Sequence, residues 1–341
     1  MAGGLQARVL KRLIVRLPNW LGDTVMAVPA LRALRASVGD GRILLAGPWA
    51  PILAGQGLAE VLVVYPRGWG GRLRAADEVR KFGADTAVLL PNSLEAALAA
   101  VYWGARRRIG YAWGGRSRLL TDPVPPPRPR FHQVDEYARL VGRLDVPVTE
   151  RVPRLQPPDA RAPGRLRGRE LLEEVGARGG RGPVVGVHLG AAFGNAKVWA
   201  RERIVEFCRA LLDAGGSPVL LGAPEDAPFA EAVRADTRAP SLAGRDSPEL
   251  LPALLAELDA LVAGDTGVAH LAAALGTPVV ALFGPTDPAF SAPRGPVAVL
   301  THPVPCAPCF YRVCPIDHPC MRLITAERVR ERVETLLGAR R

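Results

Sequence analysis

Apolar runs of strand length alternate with helically spaced stretches along this chain, and the whole pattern occurs twice. "RLIVRLP" (residues 12–18) is too short for a helix and ends in a Pro-Asn turn signal, so it predicts a first strand. "NWLGDTVMAVPALRALRASV" (residues 19–38) predicts a Gly-containing turn and then a helix. Strands follow at 42–47, 60–66 and 84–92, with a short helix at 48–56 and a longer one at 75–83. A helix over 93–105 has Ser93 as its N-cap. "RRRIGYAWG" continues as a short strand and loop. "PVPPPRPRFHQ" (residues 123–133) reads as a surface loop, and 134–146 as a helix closing the first half.

The pattern restarts with a strand at 183–190, a helix at 200–214, a strand at 217–224 and a helix at 227–236. A helix over 247–258 is opened by Ser247 with Pro248 at its first position. A strand at 259–265, a helix at 266–275 and the strand "PVVALFG" follow. Between the halves, 147–183 is rich in Pro, Arg and Gly and marks the boundary. The predicted organisation is a first domain over 1–150, a linker over 151–182, a second domain over 183–325 and a terminal helix over 326–341. Strand–helix alternation of this kind is the α/β signature with mostly parallel sheets. Two such halves predict a cleft between them.

Length and composition agree: 341 residues, 48% of them apolar, suffice for two cores. The net charge of +11 suits anionic partners, whether nucleic acid, phosphorylated small molecules or an anionic membrane. It does not choose among them, and general Arg usage accounts for the charge equally well. No run of 18 apolar residues predicts a membrane span, and the first residues carry no signal-peptide pattern, so the expected compartment is the cytoplasm. Five cysteines in such a chain argue against a disulfide framework.

Five stretches carry candidate chemistry, each with a purely structural alternative. Asp23 follows the first strand, where open α/β sheets bind ligands, but an acidic residue there can simply cap a helix. "HLGAAFGNAKVWARER" gives a Gly-rich loop with Lys197 as a point charge for an anion, or an ordinary solvated loop. It is not a Walker loop, because its spacing is G-x3-G-x2-K without a following Ser or Thr. "GDTGVAHLAAALGTPVVALFGPTDP" places the amides of Thr266, Gly267 and Val268 at a helix start, where a phosphate fits. Asp265 precedes that start, able to cap it or to bond a sugar hydroxyl, and His270 lies one turn in. A capped core helix with a buried His270 is the alternative. Cys306, Cys309, Cys314 and Cys320, spaced C-x2-C-x4-C-x5-C, predict a structural zinc or iron site or else four packed thiols or a stray disulfide, with His318 as an alternative ligand. Cys208 sits alone in a helical pattern and reads as core. "GARRRIGYAWGGRSR" suits a phosphorylated acceptor or lipid head groups, or is a solvated basic surface.

Taken together, these stretches resemble the ADP-heptose:lipopolysaccharide heptosyltransferases, glycosyltransferase family 9. "LPNWLGDTVMAVPALRAL" looks like the family's first motif, "RRRIGY" its middle one, and the stretch from Gly264 to Pro288 its most specific signature. "CAPCF" and the closing Cys320-Met321 look like its second-heptose branch. The resemblance covers nearly the whole chain. It implies a GT-B fold of two Rossmann-like domains, with the acceptor on the first and the donor on the second, and inverting transfer with no cofactor in the reaction. It implies Asp23 as general base, Lys197 at the donor phosphate, and Asp265, Thr266, Gly267 and His270 in the donor site. Glu225 or Asp226 of "LGAPED" would face the ribose. Asn19, Trp20, Arg108 and Tyr111 would serve the acceptor. The "AKVWARER" that ends the Lys197 loop departs from the "KRWP"-like form of relatives.

The implied partners are ADP-heptose, a lipid A–inner-core acceptor and, peripherally, the cytoplasmic face of the membrane, with no nucleic acid. Another nucleotide sugar or surface-glycan acceptor is an alternative within the same chemistry. A dinucleotide-dependent oxidoreductase would need a G-x-G-x-x-G fingerprint, which is missing. A metal-containing nucleic-acid-binding protein would use the cysteines and the charge, but the second half carries a full α/β pattern instead.

Overall fold

The computed structural model describes residues 11–339 apart from 179, 181 and 246. The first ten residues, to which the signal-peptide reading applied, lie outside the described residues, as do parts of the segment read as a linker. The chain divides into two compact units, Met1–Arg151 and Val152–Arg341.

In the first unit the elements run β1 (Arg12–Arg16), α1 (Leu21–Met26), α2 (Val28–Val38), β2 (Arg42–Gly47), β3 (Val61–Val64), α3 (Trp69–Lys81), β4 (Thr86–Leu89), α4 (Leu94–Tyr102), β5 (Arg107–Tyr111), β6 (Asp122–Val124) and α5 (Gln133–Val141). Six parallel strands lie in the order β3-β2-β1-β4-β5-β6. Leu13, Ile14 and Val15 of β1 and Ile43, Leu44 and Leu45 of β2 are all buried, because a parallel sheet covered on both faces needs continuous apolar strands rather than alternating ones. The helix predicted over 19–38 divides at Ala27, two residues before Pro29. Ser93 caps α4, its hydroxyl accepting from the Ala96 amide at 3.2 Å.

The second unit runs α6 (Pro163–Glu174), β7 (Val184–His188), α7 (Arg201–Asp213), β8 (Ser217–Leu221), α8 (Ala227–Thr237), α9 (Leu251–Leu255), β9 (Ala260–Gly264), α10 (Gly267–Ala274), β10 (Val279–Phe283), α11 (Pro288–Ser291), β11 (Val297–Thr301), α12 (Pro319–Arg322) and α13 (Ala326–Gly338). Its five parallel strands lie in the order β11-β10-β9-β7-β8. A core of Val187, Trp199, Phe207, Cys208, Val262, Leu282, Met321 and Val329 packs one face, so Cys208 is a core residue as expected.

The segment read as linker contains α6. Its buried Leu171 and Leu172 face inward, and Arg165, Arg169 and the nearby Arg178 converge on the buried carboxylate of Glu257. Those bonds span about 80 to 90 positions of sequence, which local composition cannot reveal. The helix predicted from Ser247 begins only at Leu251, although the Ser247 side chain and carbonyl both accept from Leu250 N–H.

Each sheet reverses its strand order at one point, between β1 and β4 in the first and between β7 and β9 in the second. In open α/β sheets the loops beyond the carboxyl ends at such a point hold the ligand.

Candidate active site

At the reversal in the second sheet, the loop leaving β7 meets the loop leaving β9. The meeting is close: a Cβ on Gly264, the last residue of β9, would stand 2.6 Å from the carbonyl oxygen of Lys197. Only glycine lets the two backbones approach this far. The Lys197 ammonium then reaches the Asp265 carboxylate at 2.5 Å and the Asp265 carbonyl at 3.2 Å, with the two side chains only 10% and 8% exposed. Thr286, in the turn after β10, donates to the same carboxylate oxygen at 2.8 Å. The ammonium also lies 4.6 Å from the centre of the Phe193 ring. A buried ion pair holds only with such added partners, since desolvation of two charges is expensive.

Directly after Asp265, Thr266 opens α10 in extended conformation, and its hydroxyl makes no capping bond. That hydroxyl is buried and has no partner. The first-turn amides of α10 therefore keep their free donors and the positive end of the helix dipole. His270 is buried one turn in. The structure thus brings together Lys197, Asp265, Thr266 and the start of α10, and adds Thr286 and Phe193, which sequence reasoning missed. The signal for Thr286 was the "GPTDP" turn after an apolar strand.

Asp226, read with Glu225 as a ribose contact, is held within its own turn. Its carboxylate accepts from the Ala223 amide at 2.9 Å and lies so near Gly190 that a Cβ there would be 2.1 Å from Oδ2. It closes its own turn, and burial raises its pKa. Glu225 beside it is exposed. His188, at the end of β7, was also missed. Burial pushes its pKa down to about 4, so it is neutral at pH 7.

At the reversal in the first sheet, Asp23 is the third residue of α1. It is not the cap: that position is Trp20, which makes no side-chain capping bond. The Asp23 carboxylate is half-buried, and its charge acts on the nearby hydroxyl of Tyr137 on α5. Tyr137 is buried, and burial followed by the Asp23 charge holds its pKa well above that of free tyrosine, so its hydroxyl stays protonated. Asn19 accepts from the fully buried Arg16 at 2.9 Å, and Trp20 is exposed with the Arg67 guanidinium stacked 4.5 Å from its ring centre. Arg16 also faces the Tyr65 ring at 4.6 Å and Glu95 at 3.9 Å.

Arg108 and Tyr111 make hydrogen bonds to main-chain carbonyls of the first unit. Arg108 lies near the start of β5, and its guanidinium donates to the carbonyls of Ala105 at 2.6 Å and Leu119 at 2.7 Å. Tyr111 is buried and donates to the Glu136 carbonyl at 2.7 Å. Both stabilise the first unit from within.

The metal site expected from cysteine spacing is not supported. Cys306 is exposed, Cys309 and Cys314 are partly buried, and Cys320 is buried. Cys320 packs under Gly284, and the Cys314 sulfur accepts from the His318 amide at 3.2 Å. Among the described residues no three His, Cys, Asp or Glu side chains gather to hold an ion. Spacing puts the thiols near one another without aiming them at one point.

Comparison with known proteins bears on the family and the fold. Residues 72–319 match glycosyltransferase family 9 (heptosyltransferase). The lipooligosaccharide heptosyltransferase 2 of Haemophilus influenzae is 29% identical over 300 residues, covering 83% of this chain and 86% of that protein. The lipopolysaccharide heptosyltransferase 2 of Escherichia coli is 28% identical over 303 residues, covering 83% and 85%. The solved structure of E. coli ADP-heptose LPS heptosyltransferase II superposes with a TM-score of 0.79 at 26% identity, over 96% of this chain and 99% of that one. The two-unit α/β architecture of the GT-B kind is therefore borne out. With the family matched across most of its length, the chain belongs to glycosyltransferase family 9, the heptosyltransferases.

Proposed function

We propose that this enzyme transfers heptose from ADP-heptose to a heptose of the lipopolysaccharide inner core, with inversion at the anomeric carbon. The observation that carries the reading is the start of α10, with its uncapped amides, unpartnered Thr266 hydroxyl and buried Lys197–Asp265–Thr286 cluster. Such a site offers positive charge to a diphosphate and an acceptor to a sugar hydroxyl. Lys197 and the helix start meet the charge that grows on the leaving ADP. Asp265 bonds the sugar, and Glu225, exposed beside the capping Asp226, takes the ribose.

Asp23 accepts the proton from the acceptor hydroxyl as that oxygen bonds to the anomeric carbon and the bond to the ADP oxygen breaks. The transition state is oxocarbenium-like. Tyr137 lies within reach of the Asp23 charge, and Asn19 and Trp20 on the same turn serve the acceptor. An acceptor carried on lipid A places the enzyme on the cytoplasmic membrane face as a peripheral protein. The test is ADP release with ADP-heptose and heptose-bearing core acceptors. Turnover confined to a different nucleotide sugar, or none with any core acceptor, sinks the reading.

A further inference from the structure

Helix α4 is built inside out. Its small residues, Ala96, Ala97, Ala99 and Ala100, are the buried ones. Its large apolar residues point outward: Leu94 is 54% exposed, Leu98 51%, Val101 43% and Tyr102 45%. They recur at i, i+4, i+7 and i+8, which is one face of a helix. A helix apolar on both sides in this way normally has something covering its second face. The neighbouring α3 adds Leu73, 74% exposed. Tyr102 donates to Asp77 of α3 and lies under the Arg80 guanidinium, 5.0 Å from its ring centre. Leu73 precedes Asp77 by one turn and so shares its face of α3. Each helix leads from one parallel strand of the sheet to the next, so the two run the same way. Leu73 therefore extends the strip beside Leu98.

The charges around the strip favour an anionic cover. Arg74, Arg80, Lys81 and Arg106 are exposed along it, against exposed Asp77 and Glu78. Glu95 does not offset them, because it faces Arg16 and Arg72 at 3.9 Å each. Nine residues of helix make a strip only about 13 Å long. That is narrow for a stable protein interface, and a second copy would bring the same excess of cations to the contact. A lipid surface needs no such area, and its phosphates complement the basic rim.

We infer that the outer face of α4, together with Leu73, is a membrane-docking surface. Leu94, Leu98 and Val101 enter the interfacial zone of an anionic bilayer, and Arg74, Arg80, Lys81 and Arg106 lie at phosphate level. The inference rests on the proposed function only for its purpose, since a lipid-borne acceptor must be met at a membrane.

The experiment is flotation of the full chain with phosphatidylglycerol-containing vesicles and with phosphatidylcholine vesicles. The wild-type protein should float with the former, and salt should weaken its binding. Leu98→Gln/Val101→Gln should weaken it by about tenfold or more, with an unchanged unfolding midpoint and unchanged turnover on a water-soluble, delipidated core acceptor. Arg80→Gln/Lys81→Gln should reduce the preference for anionic vesicles. The inference is overturned if wild type does not float, or if Leu98→Gln/Val101→Gln floats like wild type. It is equally overturned if wild type is a dimer that this variant turns into a monomer, for then a second copy covers the strip. Flotation without any heptosyl transfer would leave the surface standing and remove the proposed reaction.

Discussion

Lys197→Met separates the ion pair that the ammonium makes with Asp265 from its proposed contact with the donor phosphate. The substitution keeps the apolar stem and removes the charge 2.5 Å from Asp265. Asp265 would keep only the Thr286 hydroxyl at 2.8 Å among its described side-chain bonds. Removing one partner of a buried pair costs about 3–5 kcal/mol. The surviving Thr286 bond puts the expected loss at the lower end, about 3 kcal/mol. At about 2–4 °C per kcal/mol for a domain of this size, the midpoint of Val152–Arg341 should fall by about 6–12 °C. Adding Asp265→Asn removes the stranded carboxylate and should recover about half of that loss through the coupling of the pair. ADP affinity should behave differently. A hydrogen bond to a charged group is worth about 1.5–3 kcal/mol, so Lys197→Met should bind ADP roughly 10 to 100 times more weakly, and the double variant no better. Calorimetry reads both quantities, the unfolding midpoint and the ADP isotherm. Recovery of ADP affinity in the double variant would show that Lys197 only restrains Asp265. A single variant melting within about 1 °C of wild type would refute the energetic argument itself.

Asp23→Asn should lower turnover by about 10²-fold or more with ADP binding intact; wild-type turnover would reduce Asp23 to a structural residue. Glu257→Gln should cost about 2 kcal/mol, less than a fully buried pair, because Arg169 and Arg178 are about a third exposed. The arginines, Arg169 first, overcome burial and hold the Glu257 pKa below that of a free carboxyl. Its stabilisation is therefore present above the unfolded value and lost as pH falls through the folded one, and denaturation curves should show this variant losing less at acid pH. His188 contributes in the same sense at higher pH: unfolded it binds a proton near 6.5 and folded only near 4, so stability should fall as pH drops across that window. His188→Asn should flatten that slope.

The strands of both sheets were legible because full burial on two faces demands unbroken apolar runs such as Leu13–Ile14–Val15 and Val279 to Phe283. Ser93 was legible because a cap acts within one turn. The helix start at Thr266 was legible for the same reason, since its amides and Gly267 are local. What lay hidden depends on distant partners. Thr286 meets Asp265 across 21 positions, and Tyr137 meets Asp23 from a helix more than a hundred residues on. Helix α6 hid within Pro, Arg and Gly because three arginines and Glu257 do for it what an apolar stripe does elsewhere. The carbonyls that Arg108 and Tyr111 bond lie 3 to 25 positions away and are not legible from the motif that holds these residues. The cysteines failed in the same way, since spacing gives proximity but not aim.

The bond between Lys197 and Asp265 acts as a counterion carried by the protein itself. A simple anion arriving at α10 must compete with that carboxylate for the ammonium and leaves Asp265 with only the Thr286 hydroxyl once it succeeds. A ligand with a diphosphate at one end and hydroxyls at the other satisfies both partners at once, the anion replacing Asp265 on Lys197 and a hydroxyl replacing Lys197 on Asp265. In the proposed donor site, inorganic phosphate and ADP therefore meet an internal competitor that ADP-heptose does not, and selectivity for the intact sugar nucleotide arises before any contact specific to heptose is made.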